Sequence, residues 1–243
     1  MSIRALWPSA DAAVDSLVGW YPRADRPALR VNFVSSLDGA VTVDGFSAGL
    51  SGAGDKLIFG ALRMVCDALI VAAGTIRAER YDALRLDAAR RDWRRGNGLA
   101  EYPLMVVVSR SLELDPAQEI FSDAPIRPIV ITSAAAPADR RAALAGVAEI
   151  LTAGEQEVDL AAAFAQLHAR GATQLLSEGG PHLLGALIAA DLVDELCLTV
   201  SPLLAGGTAG RISAGPAAPP RSMALRHVLA EDDMLFLRYA RSA

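Results

Sequence analysis

Residues 174–190 read Gln-Leu-Leu-Ser-Glu-Gly-Gly-Pro-His-Leu-Leu-Gly-Ala-Leu-Ile-Ala-Ala, and this order decides the fold class. Residues 174–177 form a short apolar run of strand length, and 183–190 form a helix. Between them stands Glu178-Gly179-Gly180-Pro181. Two glycines let backbone N–H groups approach a ligand closely, and a helix N-terminus favours an anion such as pyrophosphate. Proline at the first helical position wastes no donor. The same residues also suit a plain tight turn from strand to helix, and spacing alone leaves both readings open.

Working outward, strand-like and helix-like segments alternate. Residues 29–35, 68–73, 104–108, 129–132, 147–151 and 195–201 are apolar and of strand length. Residues 55–66 carry Leu57, Ile58, Ala61, Leu62 and Val65 at helical spacing. Residues 137–144 and 158–170 are further helices, the latter stopping at Gly171. The alternation predicts an α/β fold with a mostly parallel central sheet and helices on both faces. Residues 226–229 and 234–239, joined by 230–233, predict an antiparallel C-terminal hairpin of edge strands. Residues 206–220 read as a long surface loop. With no repeat and no clear linker, the reading is an N-terminal extension, 1–28, followed by one domain, 29–243.

The 243 residues are 52% hydrophobic and 21% charged, with a net charge of −5. A disordered chain would be less apolar and more highly charged. The pI of about 5.2 argues against a nucleic-acid partner. No run approaches the roughly 20 apolar residues of a membrane span, and 1–11 lacks a signal-peptide core. The expected compartment is the cytoplasm. Cys66 and Cys197 are isolated in apolar runs and read as buried thiols. His168, His182 and His227 share no ligand spacing, so no metal site is expected.

In such sheets ligands bind at the carboxyl ends of the strands. Besides the 177–181 turn, Ser35-Ser36-Leu37-Asp38-Gly39, Gly74-Thr75 and Ser109-Arg110-Ser111 stand at those ends. Neither a Gly-x-Gly-x-x-Gly nor a Walker motif is present. Arg110 offers a fork of donors suited to a ribose 2′-phosphate, or it lies in a solvated turn. Arg63 faces a substrate phosphate or the surface. The cluster Arg85, Arg90, Arg91, Arg94 and Arg95 reads mostly as a solvated helix face.

Taken in order, Ser36-Leu37-Asp38-Gly39, the Gly/Ser loop, Leu62-Arg63, Asp67-Ala68-Leu69-Ile70-Val71, Gly74-Thr75, Ser177-Glu178-Gly179-Gly180-Pro181, Leu192-Val193-Asp194-Glu195-Leu196 and Ser201-Pro202 resemble the reductase domain of bifunctional riboflavin-biosynthesis proteins. That pyrimidine reductase family has a dihydrofolate reductase-like fold. The likeness runs from about residue 29 to 241. It implies reduction of 5-amino-6-(5-phosphoribosylamino)uracil to its ribitylamino form by NADPH, with hydride passing to the sugar C1′ of the open-chain imine. It also implies a homodimer.

By the same resemblance Ser35, Gly49, Gly74, Thr75 and Glu79 line the NADPH site. The backbone of Gly179, Gly180, Pro181, His182, Leu183, Leu184 and Gly185 holds its phosphates, with Ser109 and Arg110. Ser47, Arg63, Arg85 and Glu178 contact substrate, the two arginines meeting its 5′-phosphate. Asp38 and Glu178 are the candidate catalytic residues, Glu178 accepting hydrogen bonds from the ligand; Asp38 orients the substrate or only shapes its turn. Three features depart from the family. The zinc deaminase domain is absent, the first strand has no Lys (Arg30 is its only cation, and Asn32 the nearest polar residue), and Gly49 stands where a Trp is common. Two other readings remain. One is a reductase of a folate- or pterin-like heterocycle, and the other a non-catalytic nucleotide-binding protein.

Overall fold

The computed structural model describes residues 3–8, 16–79 and 81–242. Its strands are β1 (Arg4–Trp7), β2 (Ala28–Ser35), β3 (Ala68–Ala72), β4 (Leu104–Val108), β5 (Ile129–Thr132), β6 (Glu149–Thr152), β7 (Gln174–Ser177), β8 (Glu195–Val200), β9 (Met223–Glu231) and β10 (Met234–Arg241). Its helices are α1 (Leu17–Trp20), α2 (Ala53–Val65), α3 (Ala73–Ala78), α4 (Ala88–Gly96), α5 (Glu119–Ser122), α6 (Ala138–Leu144), α7 (Leu160–Ala169) and α8 (Pro181–Ala189). A 3-10 turn spans Ser47–Gly49. The chain forms two compact units, Met1–Val65 with Ser177–Ala243, and Cys66–Leu176.

In the first unit the strand order is β1-β9-β10-β8-β2. β2 and β8 run parallel, from Arg30 opposite Glu195 to Ser35 opposite Val200. β10 lies antiparallel to β8 and to β9, and β1 antiparallel to β9. The C-terminal hairpin is therefore present, but it is not an edge. β1, from the stretch read as an extension, covers β9, and β8 covers β10. The hairpin is also tighter and longer than 226–239 suggested. Only Asp232 and Asp233 lie outside its strands, at φ 48° and 65°. Aspartate tolerates this left-handed geometry, which matches the twist of the flanking strands.

α2 packs the stripe Ile58, Ala61, Leu62 and Val65, each at most 5% exposed. Leu57 was expected in that stripe and is instead 49% exposed. One residue is about 100° of helix, so Leu57 falls outside the i, i+3, i+4, i+7 face set by Ile58. Asp55, in the first turn, is buried and joins α2 to β8. Its carboxylate accepts from the Ser51 hydroxyl at 2.6 Å and from the Thr199 hydroxyl at 2.6 Å.

The second unit has strand order β7-β3-β4-β5-β6, with β3, β4, β5 and β6 paired in parallel. Leu69, Ile70, Val71, Val106, Val107, Val130 and Ile131 are at most 1% exposed, as strands covered on both faces require. Asp67 fixes the start of β7 by accepting from the N–H groups of Thr173 and Gln174 at 2.9 and 2.8 Å. Arg94 departs from the expected solvated face of α4. It is fully buried, with Nε donating to the Ala100 carbonyl and one terminal nitrogen to the Cys66 carbonyl, each at 2.7 Å. Its fork ties the carbonyls of Cys66 and Ala100 together, which a half-polar helix read from composition does not reveal.

Candidate active site

Ser177 ends β7 and Glu178 follows it, both buried. Gly179 follows at φ +124°, a conformation open to glycine and strained for any other residue. Gly180 is the N-cap of α8 and Pro181 stands in its first turn. The first backbone bond into α8 runs from the Leu184 N–H to the Gly180 carbonyl, 3.0 Å. The preceding N–H groups, of His182 and Leu183, belong to the turn that has no intrahelical acceptor. The buried Ser177 hydroxyl likewise has no partner in the structure. A buried hydroxyl and a helix start with unbonded donors fit an anionic group such as a dinucleotide pyrophosphate.

Glu178 faces Arg63 of α2. Arg63 Nε donates to Oε1 at 2.9 Å and a terminal nitrogen to Oε2 at 2.7 Å, a bidentate pair. The Glu178 side chain is 0% exposed and that of Arg63 16%. The guanidinium also lies over the Phe59 ring, 4.7 Å from its centroid. The cation expected to face a substrate phosphate thus already meets a carboxylate inside the site. Arg63 emerges at the margin of the packed stripe, one residue past Leu62.

At the end of β2 the chain turns through Ser36–Ala40, with the Ser36 N–H donating to the Ala40 carbonyl at 2.9 Å. Asp38 accepts from the Ser36 hydroxyl, from the Ala205 N–H at 3.1 Å and from the Gly206 N–H at 2.7 Å. The Ser36 hydroxyl, then the Gly206 and Ala205 N–H groups, hold its carboxyl down at about 2. Asp38 is an ionised anchor for the loop after β8, and a standing proton donor it is not. With Ser35 and Arg211 it lines a cleft of about 420 Å³. Arg211 lies in the loop that the sequence presented only as Gly-, Ala- and Pro-rich surface. Its signal was a lone cation in an otherwise uncharged run, 203–220.

Residues 27–235 match the family described as the RibD C-terminal domain. The chain belongs to the RibD C-terminal domain family. It is 33% identical over 183 residues to a 2,5-diamino-6-ribosylamino-4(3H)-pyrimidinone 5′-phosphate reductase of Archaeoglobus fulgidus, covering 75% of this chain and 83% of that protein. A protein of the same name from Methanothermobacter thermautotrophicus is 33% identical over 189 residues, 76% and 82% of the two chains. A pyrimidine reductase-like protein from Corynebacterium diphtheriae superposes with a TM-score of 0.82 at 27% identity, over 89% of this chain and 92% of that one. The α/β fold with its mostly parallel sheet is that of RibD reductase domains.

The first unit holds Ser35, Asp38, Ser47, Gly49, Arg63 and residues 178–185 of the expected RibD site. Leu183, Leu184 and Gly185 are buried. Gly185 serves a packing need as well: a Cβ there would stand 2.1 Å from the Ala214 carbonyl oxygen. A Cβ at Gly49 would fall 2.9 Å from the Val43 Cβ, so the loop as it stands has no room there for the Trp that the resemblance leads one to expect. Phe46, 54% exposed, supplies the aromatic surface of that loop. Arg30 does not stand in for the missing Lys. Its Nε donates to Glu195 at 2.7 Å. Asn32 is buried with an unpartnered Oδ1, leaving a polar atom on β2 itself.

The second unit holds the remainder. Gly74 and Thr75 lie in α3 directly after β3, and the Glu79 N–H ends that helix on the Thr75 carbonyl at 2.8 Å. Ser109 is buried at the end of β4 and accepts from the Leu112 N–H at 3.0 Å. Arg110 is 64% exposed and pairs with Glu157. Arg85 precedes α4 in an irregular segment and grips Asp123, with Nε to Oδ2 at 2.7 Å.

Proposed function

We propose that the protein is an NADPH-dependent reductase that converts the phosphoribosylamino side chain of a pyrimidine to the ribitylamino form in cytoplasmic riboflavin synthesis. The observation that carries this reading is the 33% identity, over three quarters of the chain, to two archaeal proteins named as phosphoribosylaminopyrimidinone reductases. The reacting group is the sugar, which the uracil and the diaminopyrimidinone share, so both are candidate substrates.

NADPH, when bound, supplies the hydride. The chain's contribution is placement. The Gly179–Leu183 backbone and the Ser177 hydroxyl would hold its phosphates, with Ser35, Gly49, Gly74, Thr75 and Glu79 along the cofactor and Ser109 and Arg110 at the 2′-phosphate. Glu178, held in one orientation by Arg63, would accept hydrogen bonds from the substrate, with Ser47 and Arg85 as further contacts. Asp38 holds the loop that carries Arg211 beside the cleft. A homodimer goes with this reading. Its support is the edge strand β1, where Leu6 and Trp7 are 38% and 43% exposed.

The test is the initial rate of NADPH oxidation with the phosphoribosylaminouracil, the diaminopyrimidinone phosphate and dihydrofolate side by side. Turnover of either ribosylaminopyrimidine with none of dihydrofolate is expected. Turnover of dihydrofolate alone would replace this reading with the folate-type one.

A further inference from the structure

Behind the loop that follows β8 lies a second cavity, of about 480 Å³. This volume is in the range of small-molecule sites. Its inner wall is apolar: Val31 of β2, Leu196 of β8, and Leu184 and Ile188 of α8. Its outer wall is the loop 211–220, which touches α8 around Ala214. There the Ala214 N–H donates to the Pro181 carbonyl at 3.0 Å, and Gly185 leaves room for the Ala214 carbonyl. Pro216, Pro219 and Pro220 stiffen this wall, because proline fixes φ and cannot relax inward freely. The wall therefore stands off the sheet instead of collapsing on it.

The mouth is cationic. Asp191 carries Arg241 at 2.8 Å on Oδ1 and Arg221 at 3.0 Å on Oδ2. Arg241 is fixed further by the Val193 carbonyl at 2.6 Å. Arg221 is 57% exposed. Arg211 is also in the lining, which thus carries three arginines and one aspartate. Arg211 and Ile212 line this cavity and the candidate active-site cleft alike.

We infer that this cavity is a second ligand site, which takes a small amphipathic anion with its flat apolar part between α8 and the loop and its anionic group at Arg221. An apolar wall gives affinity and a surplus cation at the rim gives polarity of binding. The cavity shares Leu184 and Gly185 with the expected cofactor site, but Ile188, Arg221 and the loop 211–220, on which the inference rests, are assigned to neither substrate nor cofactor.

The probe is 8-anilinonaphthalene-1-sulfonate, titrated by fluorescence against the full chain. One saturable site is expected, with affinity lowered about fivefold in Arg221→Glu, the scale of one half-exposed ion pair. Two substitutions fill the cavity from opposite walls, Ile188→Trp and Ala217→Trp. Each should weaken the probe by about tenfold or more with an unchanged melting temperature, so failure of one to fold leaves the other. Saturating NADP⁺ should leave probe affinity unchanged. Absence of saturable binding, full binding in the folded tryptophan variants, or displacement by NADP⁺ would overturn the inference. So would a changed light-scattering mass in those variants, which would make a second copy of the chain the occupant.

Discussion

Arg63 and Glu178 act as one unit at the residue scale. The Glu178 carboxylate is wholly buried, and a buried charge stripped of its partner costs about 3–5 kcal/mol. Arg63→Ala should therefore lower both stability and kcat/KM, the latter by more than about tenfold, with NADPH affinity little changed. The double variant Arg63→Met, Glu178→Leu separates the two effects. It should regain most of the melting temperature and none of the activity. Recovery of activity in the double variant would show that the pair is only a packing device. Asp38 gives a second residue-scale expectation. Its carboxyl is lowered from 3.8 to about 2, chiefly by the Ser36 hydroxyl. A lowered carboxylate stabilises the fold above its unfolded value, and that contribution disappears as the pH falls through the folded one. Thermal stability should fall between about pH 4 and 2, and Asp38→Asn should flatten that limb. An identical acid limb in the variant would remove Asp38 as the anchor of residues 205–206.

These three residues also show how much of the site was legible. Glu178, Arg63 and Asp38 stand in recognisable local patterns, so their positions could be read. Their partners could not. Glu178 lies 115 residues from Arg63 in the chain, and Asp38 bonds a loop 168 residues away. Nothing local encodes such distances. Arg211 escaped because a cation in a loop has no periodicity to mark it.

At the scale of elements, the Gly179–Pro181 turn is the part with the sharpest local demand. Gly179→Ala forces a side chain into φ +124°, where non-glycine residues are strained by about 1–3 kcal/mol. Loss of NADPH binding, by calorimetry, should exceed the loss of stability. Wild-type affinity in this variant would make the turn a mere connection between β7 and α8. Strand β9 carries a different signal. His227 is buried against Trp20 and Tyr21, at ring distances of 5.6 and 4.9 Å. Burial first, then Arg238 and Arg30, push its pKa from 6.5 to about 4. The unfolded chain binds the extra proton between those values, so stability is full above about pH 6.5 and declines toward pH 4. The decline is roughly 3 kcal/mol at about 1.4 kcal/mol per unit. His227→Phe should abolish it in urea titrations across that range. An unchanged slope would mean that the imidazole is solvated.

Element type was readable wherever one face or both had to be apolar. β4, β5 and β7 coincide with the runs read from sequence, and α2 differs by two residues at its start and one at its end. β1 and α3 were not readable. β1 has four residues and one buried side chain, too short to show alternation. α3 begins at Ala73, where a strand run simply continues in composition, and only its backbone turns.

At the scale of the molecule, cofactor choice weighs one surface contact against another. Arg110 and Glu157 are 64% and 72% exposed, and such a pair is worth at most about 1 kcal/mol. A charge-assisted contact to a ribose phosphate is worth about 1.5–3 kcal/mol. The phosphate should win, giving NADPH at least about tenfold preference over NADH. Arg110→Ala should erase the preference and leave NADH binding as it was. Equal affinities for the two cofactors in the wild type would refute this placement. Which units the two halves of the sequence build was not legible. The chain leaves the first unit after Val65 and returns at Ser177 without a linker in its composition.

The central claim is that hydride is delivered to the sugar and not to a heterocycle. The most direct measurement is turnover with NADPH deuterated at the transferring position of the nicotinamide, followed by mass spectrometry and NMR of the product. One deuterium is expected, on C1′ of a newly formed ribityl chain. Deuterium on a ring carbon, or a ribityl product without label, would contradict it.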